Sequence, residues 1–203
     1  MQEDLIIFGG GGTGREIEQL VRRKYNVLGF FDDKRTGPDV IGRFDNYKKI
    51  DGHVKFCSSM SNHASMLRRK NFLQNIPPTR FITFIDTDTR IYSTAKWGNA
   101  VFVFPGSLLS NNVVLGNYIL IYHHCVIAHD VLIQDYSVVA NSVTISGGVT
   151  IGRNCYIGAG ATILDNISIG DNCIIAAGST VVSSVESNQI YIAPHRIKYN
   201  HYL

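Results

Sequence analysis

Two short stretches of this sequence hold residue types that do chemistry. The first is Ile127-Ala128-His129-Asp130-Val131-Leu132-Ile133, a histidine followed at once by an acid. Imidazole changes charge near neutral pH, so histidine suits a step that takes a proton and later returns it. A carboxylate beside the ring can hold its orientation and raise its basicity. The second is Phe8-Gly9-Gly10-Gly11-Gly12-Thr13-Gly14, in which Gly9, Gly11 and Gly14 satisfy GxGxxG. Glycines there let the backbone approach a phosphate, and a following helix offers free N–H groups and a partial positive charge. Each stretch also has a plainer reading: a surface histidine beside an acid, and a tight strand-to-helix turn with no ligand.

The elements that must position the glycines flank them directly. Leu5-Ile6-Ile7-Phe8 reads as a buried strand, and Arg15–Arg23 places Ile17, Leu20 and Val21 at helical spacing. Val27-Leu28-Gly29-Phe30-Phe31 reads as a second strand that ends in Asp32-Asp33. Strand, glycine loop, helix, strand, acid is a nucleotide-binding order. Asp32 and Asp33 stand where a ribose or sugar hydroxyl would be met. Only about eighty residues precede the repeat that follows. That is room for half of a doubly wound fold, so a mononucleotide site is favoured over a dinucleotide dehydrogenase.

The element that must position His129 is a six-residue period. Every sixth residue from Ile85 to Val181 is aliphatic except Trp97. A second column two residues earlier, from Thr83 to Ser179, is small or β-branched throughout. A period of six cannot be an α-helix. It suits short strands joined by tight corners, three to a triangular coil of about eighteen residues. Such coils stack at the strand spacing of about 4.8 Å. The expected fold is therefore an α/β N-terminal βαβ nucleotide-binding unit followed by a left-handed parallel β-helix of hexapeptide repeats. The boundaries fall at 1–84, 85–185 and a C-terminal cap or tail at 186–203, and the segment before Ile85 is the other expected end cap. His129 lies two residues past an interior position and should point outward near a corner. Gly147 lies eighteen residues further on, so it should stack beside His129 one coil away, about 5 Å. A bare glycine there permits close approach, and its N–H could receive a developing oxyanion. Cys125, Cys155 and Cys173 all fall in the small interior column and should be buried packing residues.

Bulk properties exclude several classes. The chain has 203 residues, 45% hydrophobic and 17% charged, with a net charge of +3. That is not the concentrated basic character of a nucleic-acid binder. No apolar stretch approaches the ~18 residues of a membrane span. The opening MQEDLIIFGGGG is not a signal peptide, and the four cysteines form no CxxC. The chain reads as cytoplasmic, with no metal expected.

Together the repeat, Phe8–Gly14 and Phe31-Asp32-Asp33 resemble the bacterial nucleotide-sugar acyltransferases of the hexapeptide-repeat class. Those acting on 4-amino-4,6-dideoxy sugars are the nearest group, with sialic-acid O-acetyltransferases as relatives. The resemblance implies that Gly9, Gly10, Gly11, Gly12, Thr13, Gly14, Asp32 and Asp33 hold the nucleotide-sugar. It implies that His129 takes the proton from the sugar amine, oriented by Asp130, with the Gly147 amide at the oxyanion. Acetyl-CoA would lie along the outside of the later coils, between subunits of a homotrimer, near Gly147, Ala159 and Ala177. Arg196, or Lys198, in the proline-basic tail would meet its phosphates. Two positions depart from the pattern. Val138 replaces a second histidine, and the family's polar residue near Tyr122 is also replaced. Thr13 stands where some members carry histidine.

Other readings remain open on the residues alone. His124 and His129 are spaced like two zinc ligands of carbonic-anhydrase-like β-helices, although the third position is Asp88. A non-catalytic nucleotide-sugar binder and a sialic-acid-type O-acetyltransferase are the remaining alternatives.

Overall fold

A computed structural model describes residues 2–192. Arg196 and Lys198 lie outside the described residues. The N-terminal unit is a four-stranded, all-parallel sheet. Its strands are β1 (Glu3–Phe8), β2 (Tyr25–Phe31), β3 (Val40–Gly42) and β4 (Lys55–Ser58), in the order β3-β2-β1-β4. Leu5, Ile6, Ile7 and Phe8 are all buried because β1 lies in the middle and is covered on both faces. Helix α1 (Gly12–Val21) follows the glycine loop, and α2 (Met66–Leu73) follows β4. Helix α1 begins three residues before Arg15, the start that its apolar spacing suggests. Spacing registers buried side chains, and the first turn here has almost none to register. Gly14 is required in that turn, because a Cβ would collide with the carbonyl oxygen of Gly9.

From Phe84 onward the chain forms the left-handed β-helix. The first face pairs seven two-residue strands, from Phe84–Ile85 through Leu120–Ile121 to Ile190–Tyr191. The second face runs from Arg90–Ile91 through Val126–Ile127 to Thr180–Val181, and the third from Lys96–Trp97 through Leu132–Ile133 to Ser168–Ile169. All pairs within the faces are parallel, and the register advances by one coil each time, as in Val126↔Thr144 and Ile127↔Ile145. Pairing continues past residue 185: the chain returns through Val185 and adds Ile190–Tyr191 to the first face.

Both sequence columns from Val101 onward line one buried core. Interior polar atoms are satisfied in a repeating way. Ser107 and Ser137 Oγ donate to the carbonyls of Tyr122 and Gly152, while Cys125 and Cys155 Sγ donate to those of Ala140 and Gly170. Small donors therefore suit this column as well as β-branched residues do. Burial pushes the Cys125 thiol up to about 11 and the Cys155 thiol up to about 12. Neither is a thiolate nucleophile at neutral pH.

The first coil differs from what the six-residue period implies. Ile91 is 38% exposed and Trp97 is 40% exposed. No coil stacks beneath them, and the N-terminal unit does not plug that end as an end cap would. It packs against the outer side of the first face. There Phe102, Phe104, Leu120 and Val138 join Leu5, Ile7, Ile17 and Phe30 in one buried cluster. Arg69 of α2, itself buried, donates to the carbonyls of Tyr118 and Tyr136 at 2.7 and 2.6 Å, on consecutive coils. Desolvation lowers its pKa to about 10, so it stays charged at neutral pH.

The open end and the middle of the prism should therefore respond differently to truncation. Ile145 is fully buried, so Ile145→Ala is expected to cost about 2–5 kcal/mol in denaturant unfolding. Ile91→Ala, at the open end, is expected to cost under about 1 kcal/mol in the same measurement.

Candidate functional site

His129 stands on the corner between the second and third faces. The residue after it, Asp130, turns the corner at φ +58°, in the left-handed region. Asp130 is one of a regular series: Asn112, His124, Ser142, Asn154 and Asn166 turn other corners in the same way. Asn and Asp tolerate that conformation better than most residues, which is why they recur there at multiples of six residues. The turn directs the Asp130 carboxylate back to the histidine. His129 Nδ1 and Asp130 Oδ2 are 2.8 Å apart, and Asn112 Nδ2 donates to Asp130 Oδ1 at 2.9 Å. The hydrogen bonds from Asn112 and His129 hold the Asp130 carboxyl below the usual carboxylate range. Nε2 has no hydrogen-bond partner among the described residues, and the side chain is exposed.

Gly147 lies under that ring. A Cβ on Gly147 would come within 2.6 Å of His129 Cε1 and 2.7 Å of Nε2. Glycine is what lets the imidazole lie flat on the next coil. The Gly147 N–H already has a partner, however, and donates to Asp165 Oδ1 at 3.1 Å. An oxyanion at this amide has to displace or share that carboxylate.

The Gly147–Asp165 bond is one case of a rule at the corners. The N–H of a corner residue points along the prism and is taken by the side chain one coil on. Asn117 N–H goes to Asp135, and Arg153 N–H goes to Asp171. Where the next corner residue is alanine, no side chain can close the bond. Among the described residues the N–H groups of Asn141, Ala159 and Ala177 have no acceptor, and all three residues are exposed. They stack in one row on the corner between the first and second faces.

The glycine loop forms a second, separate site. A cleft of about 550 Å³ is lined by Gly9, Gly11, Gly12, Thr13, Asp32 and Asp33. Its other wall is Ser59, Met60, Ser61, Asn62, Ser65 and Arg68, together with Lys34 and Phe44. It opens at the carboxyl ends of β1 and β4, which lie side by side although far apart in sequence. This is the switch point where open α/β sheets bind ligands. Gly11 and Gly12 have open space where a side chain would be. Asp32 is turned partly inward: Oδ2 accepts from Gly10 N–H at 2.9 Å, and Oδ1 accepts from Lys34 and Arg35 N–H at 2.9 and 3.0 Å. Desolvation raises its pKa, but those three bonds and the Arg35 charge outweigh that and hold it below the usual range. Asp33 accepts from Phe44 N–H and pairs with Arg68 at 2.6 Å. Both acids thus brace the cleft as well as line it.

The structure joins some of the expected residues and separates others. His129, Asp130 and Gly147 are together. Gly9–Gly14, Asp32 and Asp33 are together. Thr13 Oγ1 reaches Tyr122 Oη at 3.1 Å, tying the cleft to the first face, and Ser61 bonds the same hydroxyl. His129 is on the corner opposite that face, so one chain does not bring its cleft and its histidine together. The wall from Ser59 to Arg68 escaped the reading of the sequence. Its available signal was Ser58-Ser59-Met60-Ser61-Asn62 directly after the apolar Val54–Cys57 run. Among the described residues no three His, Cys, Asp or Glu side chains gather to hold a metal ion, and no helix is long and apolar enough to cross a membrane.

Comparison with known proteins gives a consistent picture. A family model described as the PglD N-terminal domain matches residues 4–76, and one described as bacterial transferase hexapeptide (six repeats) matches residues 148–183. Sequence comparison with curated proteins finds no match. The fold is similar to the acetyltransferase domain of PglB from Neisseria gonorrhoeae FA1090, solved with acetyl coenzyme A. The TM-score is 0.84 at 20% identity, covering 94% of this chain and 96% of that one. It is also similar to a histidine variant of perosamine N-acetyltransferase from Caulobacter crescentus, in complex with CoA and GDP-perosamine. There the TM-score is 0.80 at 18% identity, with 97% of each chain covered. WeeI from Acinetobacter baumannii AYE gives a TM-score of 0.65 at 20% identity, covering 92% of this chain and 94% of that one.

Asp32 should leave a pH signature. A carboxyl depressed in the folded state contributes stability above its unfolded value, about 3.9, and loses it as pH falls through the folded value. Asp32→Ala is expected to lower the melting temperature at neutral pH. That gap to wild type should begin to close below about pH 4 and vanish once pH drops past the folded value.

Proposed function

We propose a reaction for this chain, which carries the PglD N-terminal domain joined to the hexapeptide repeats of the bacterial transferases. It transfers the acetyl group of acetyl-CoA to the 4-amino group of a UDP- or dTDP-linked 4-amino-4,6-dideoxy sugar. The product serves bacterial glycan assembly in the cytoplasm, for an O-antigen, a capsule or a glycoprotein. The observation that carries this reading is the His129–Asp130 bond over a bare Gly147.

Each part has a chemical role. The amine nitrogen attacks the thioester carbonyl while His129 Nε2 takes its proton, and Asp130 steadies the resulting imidazolium. The tetrahedral intermediate collapses, the C–S bond breaks, and the thiolate leaves with the proton from His129. Gly147 N–H stabilises the oxyanion when Asp165 gives that bond up. The open N–H groups of Ala159 and Ala177 suit the amide carbonyls of a pantetheine arm. Gly11, Gly12 and Thr13 at the start of α1 suit a diphosphate. Arg196, outside the described residues, is assigned to the CoA phosphates. The division at residues 84 and 85 separates acceptor binding from catalysis. The similar structures support a CoA thioester donor and a nucleotide-linked sugar acceptor, without selecting the base: one holds acetyl coenzyme A, and another holds CoA with GDP-perosamine.

The geometry also asks for a second copy. The cleft lies against the first face and His129 on the corner opposite, so acceptor and base meet only between chains. A homotrimer with three such sites satisfies this. Val114 and Val126, exposed on the third and second faces, are apolar surface suited to its contacts.

Three outcomes test the reading. Thiol release is followed with acetyl-CoA and a panel of nucleotide-linked amino sugars and free sialic acids. Turnover is expected with the amino sugars, and reaction with free sialic acids alone would show that the acceptor is a hydroxyl. His129→Ala is expected to lose about 10²–10⁴ in turnover with nucleotide-sugar binding and circular dichroism unchanged. Coexpression of His129→Ala chains with Gly12→Asp chains is expected to regain part of the activity each lacks alone. If one chain supplied both groups, mixing would restore nothing.

A further inference from the structure

The seam between α1 and the β-helix holds a row of polar side chains that neither the cleft nor His129 uses. Glu16 lies one turn after Thr13 on α1. Its Oε1 is 3.3 Å from His123 Nε2. The other ring nitrogen, Nδ1, is 3.2 Å from Asn141 Oδ1, and the His123 backbone N–H donates to that same oxygen at 3.3 Å. The ring is packed against Phe104, centroid to centroid 4.7 Å, with its side chain only 25% exposed. His123 is therefore wedged in place by an aromatic neighbour and by oxygens on both nitrogens.

The consequence falls on Asn141. Two bonds to Oδ1 fix the rotation of its amide, so Nδ2 is aimed away from His123. Among the described residues Nδ2 has no acceptor. Asn141 is exposed, and its corner stacks directly below Ala159 and then Ala177. One edge of the prism thus presents the Asn141 amide and three backbone N–H groups, and no acceptor side chain interrupts the row. A row of donors without acceptor side chains selects a ligand with acceptor atoms spaced along its length, as the carbonyls of a pantetheine arm are.

We propose that Asn141 is a contact residue for the acyl donor, and that His123 and Glu16 are positioning residues that hold its amide. Asn141 Nδ2 donates to an amide carbonyl of the pantetheine arm, continuing the track along Ala159 and Ala177. This rests on the acyltransferase reading above. The same helix then serves both substrates, with Thr13 at the nucleotide cleft and Glu16 at the donor track.

The test measures CoA binding by calorimetry and steady-state kinetics on the assembled full-length protein. Asn141→Ala should fold normally, because alanine already occupies the next two corners of the row. It is expected to raise the Kd for CoA and the KM for acetyl-CoA about tenfold, with kcat and the acceptor KM within twofold. His123→Ala is expected to raise the same two quantities about threefold, and His123→Gln to restore part of the loss. In the double variant, His123→Ala should add nothing to Asn141→Ala, since it acts through that amide. Equal CoA affinity in wild type and Asn141→Ala would overturn the assignment while leaving the acyltransferase reading intact. Wild-type protein that binds no CoA would overturn both. Additive losses in the double variant would remove His123 from the relay.

Discussion

A chain that turns a corner every six residues returns to the same corner eighteen residues later, and from Ala100 to Gly178 each corner places one residue in the left-handed region. The rest of this molecule follows from that constraint. Each corner stacks on the one before it, so a property repeated at eighteen-residue intervals becomes a row along one edge. Asn117 and Asp135 staple one edge. Alanine at 159 and 177 leaves another edge unstapled beyond the His123–Asn141 bond, with the N–H groups of Asn141 and Ala159 open among the described residues. The difference between stapled and open edges is a matter of which small side chains occupy equivalent corners.

The same stacking explains how His129 is held. An imidazole on an exposed corner would ordinarily be mobile. Here Asp130 is forced back toward it by its own left-handed turn, Asn112 from the previous coil holds that carboxylate, and Gly147 supplies a flat floor. Three consecutive coils thus restrain one ring without burying it. Asp165, from the coil after Gly147, occupies the amide that an oxyanion would use. The floor beneath the ring is thus itself stapled to the next coil.

The N-terminal unit obeys a different constraint. A parallel sheet must cover both faces, and on one side α1 and the β-helix cover it together. Phe102, Phe104, Leu120 and Val138 are outward-facing residues on the first face, and they become core through this contact. Arg69 spans the junction and holds the carbonyls of two coils, with burial as the cost of its charge. Docking on the flank leaves the end of the prism bare at Ile91 and Trp97, and it puts the glycine-loop cleft across the prism from His129.

Much of this was legible in the residues because it is local and periodic. The six-residue columns determine the coil, the coil determines that His129 meets Gly147, and Leu5–Asp33 determines the glycine cleft. Spacing alone also puts Cys125, Cys155 and Cys173 indoors. What the tertiary structure decided is how the two units meet, which depends on aperiodic contacts among residues distant in sequence. The Ser59–Arg68 wall, the Arg69 clamp, the bare end at Trp97 and the Glu16–His123–Asn141 chain all arise at that junction. Periodicity reports which side chains face inward along one element. It is silent on which outer face another element will cover, because that choice is made by the shape and chemistry of two surfaces at once.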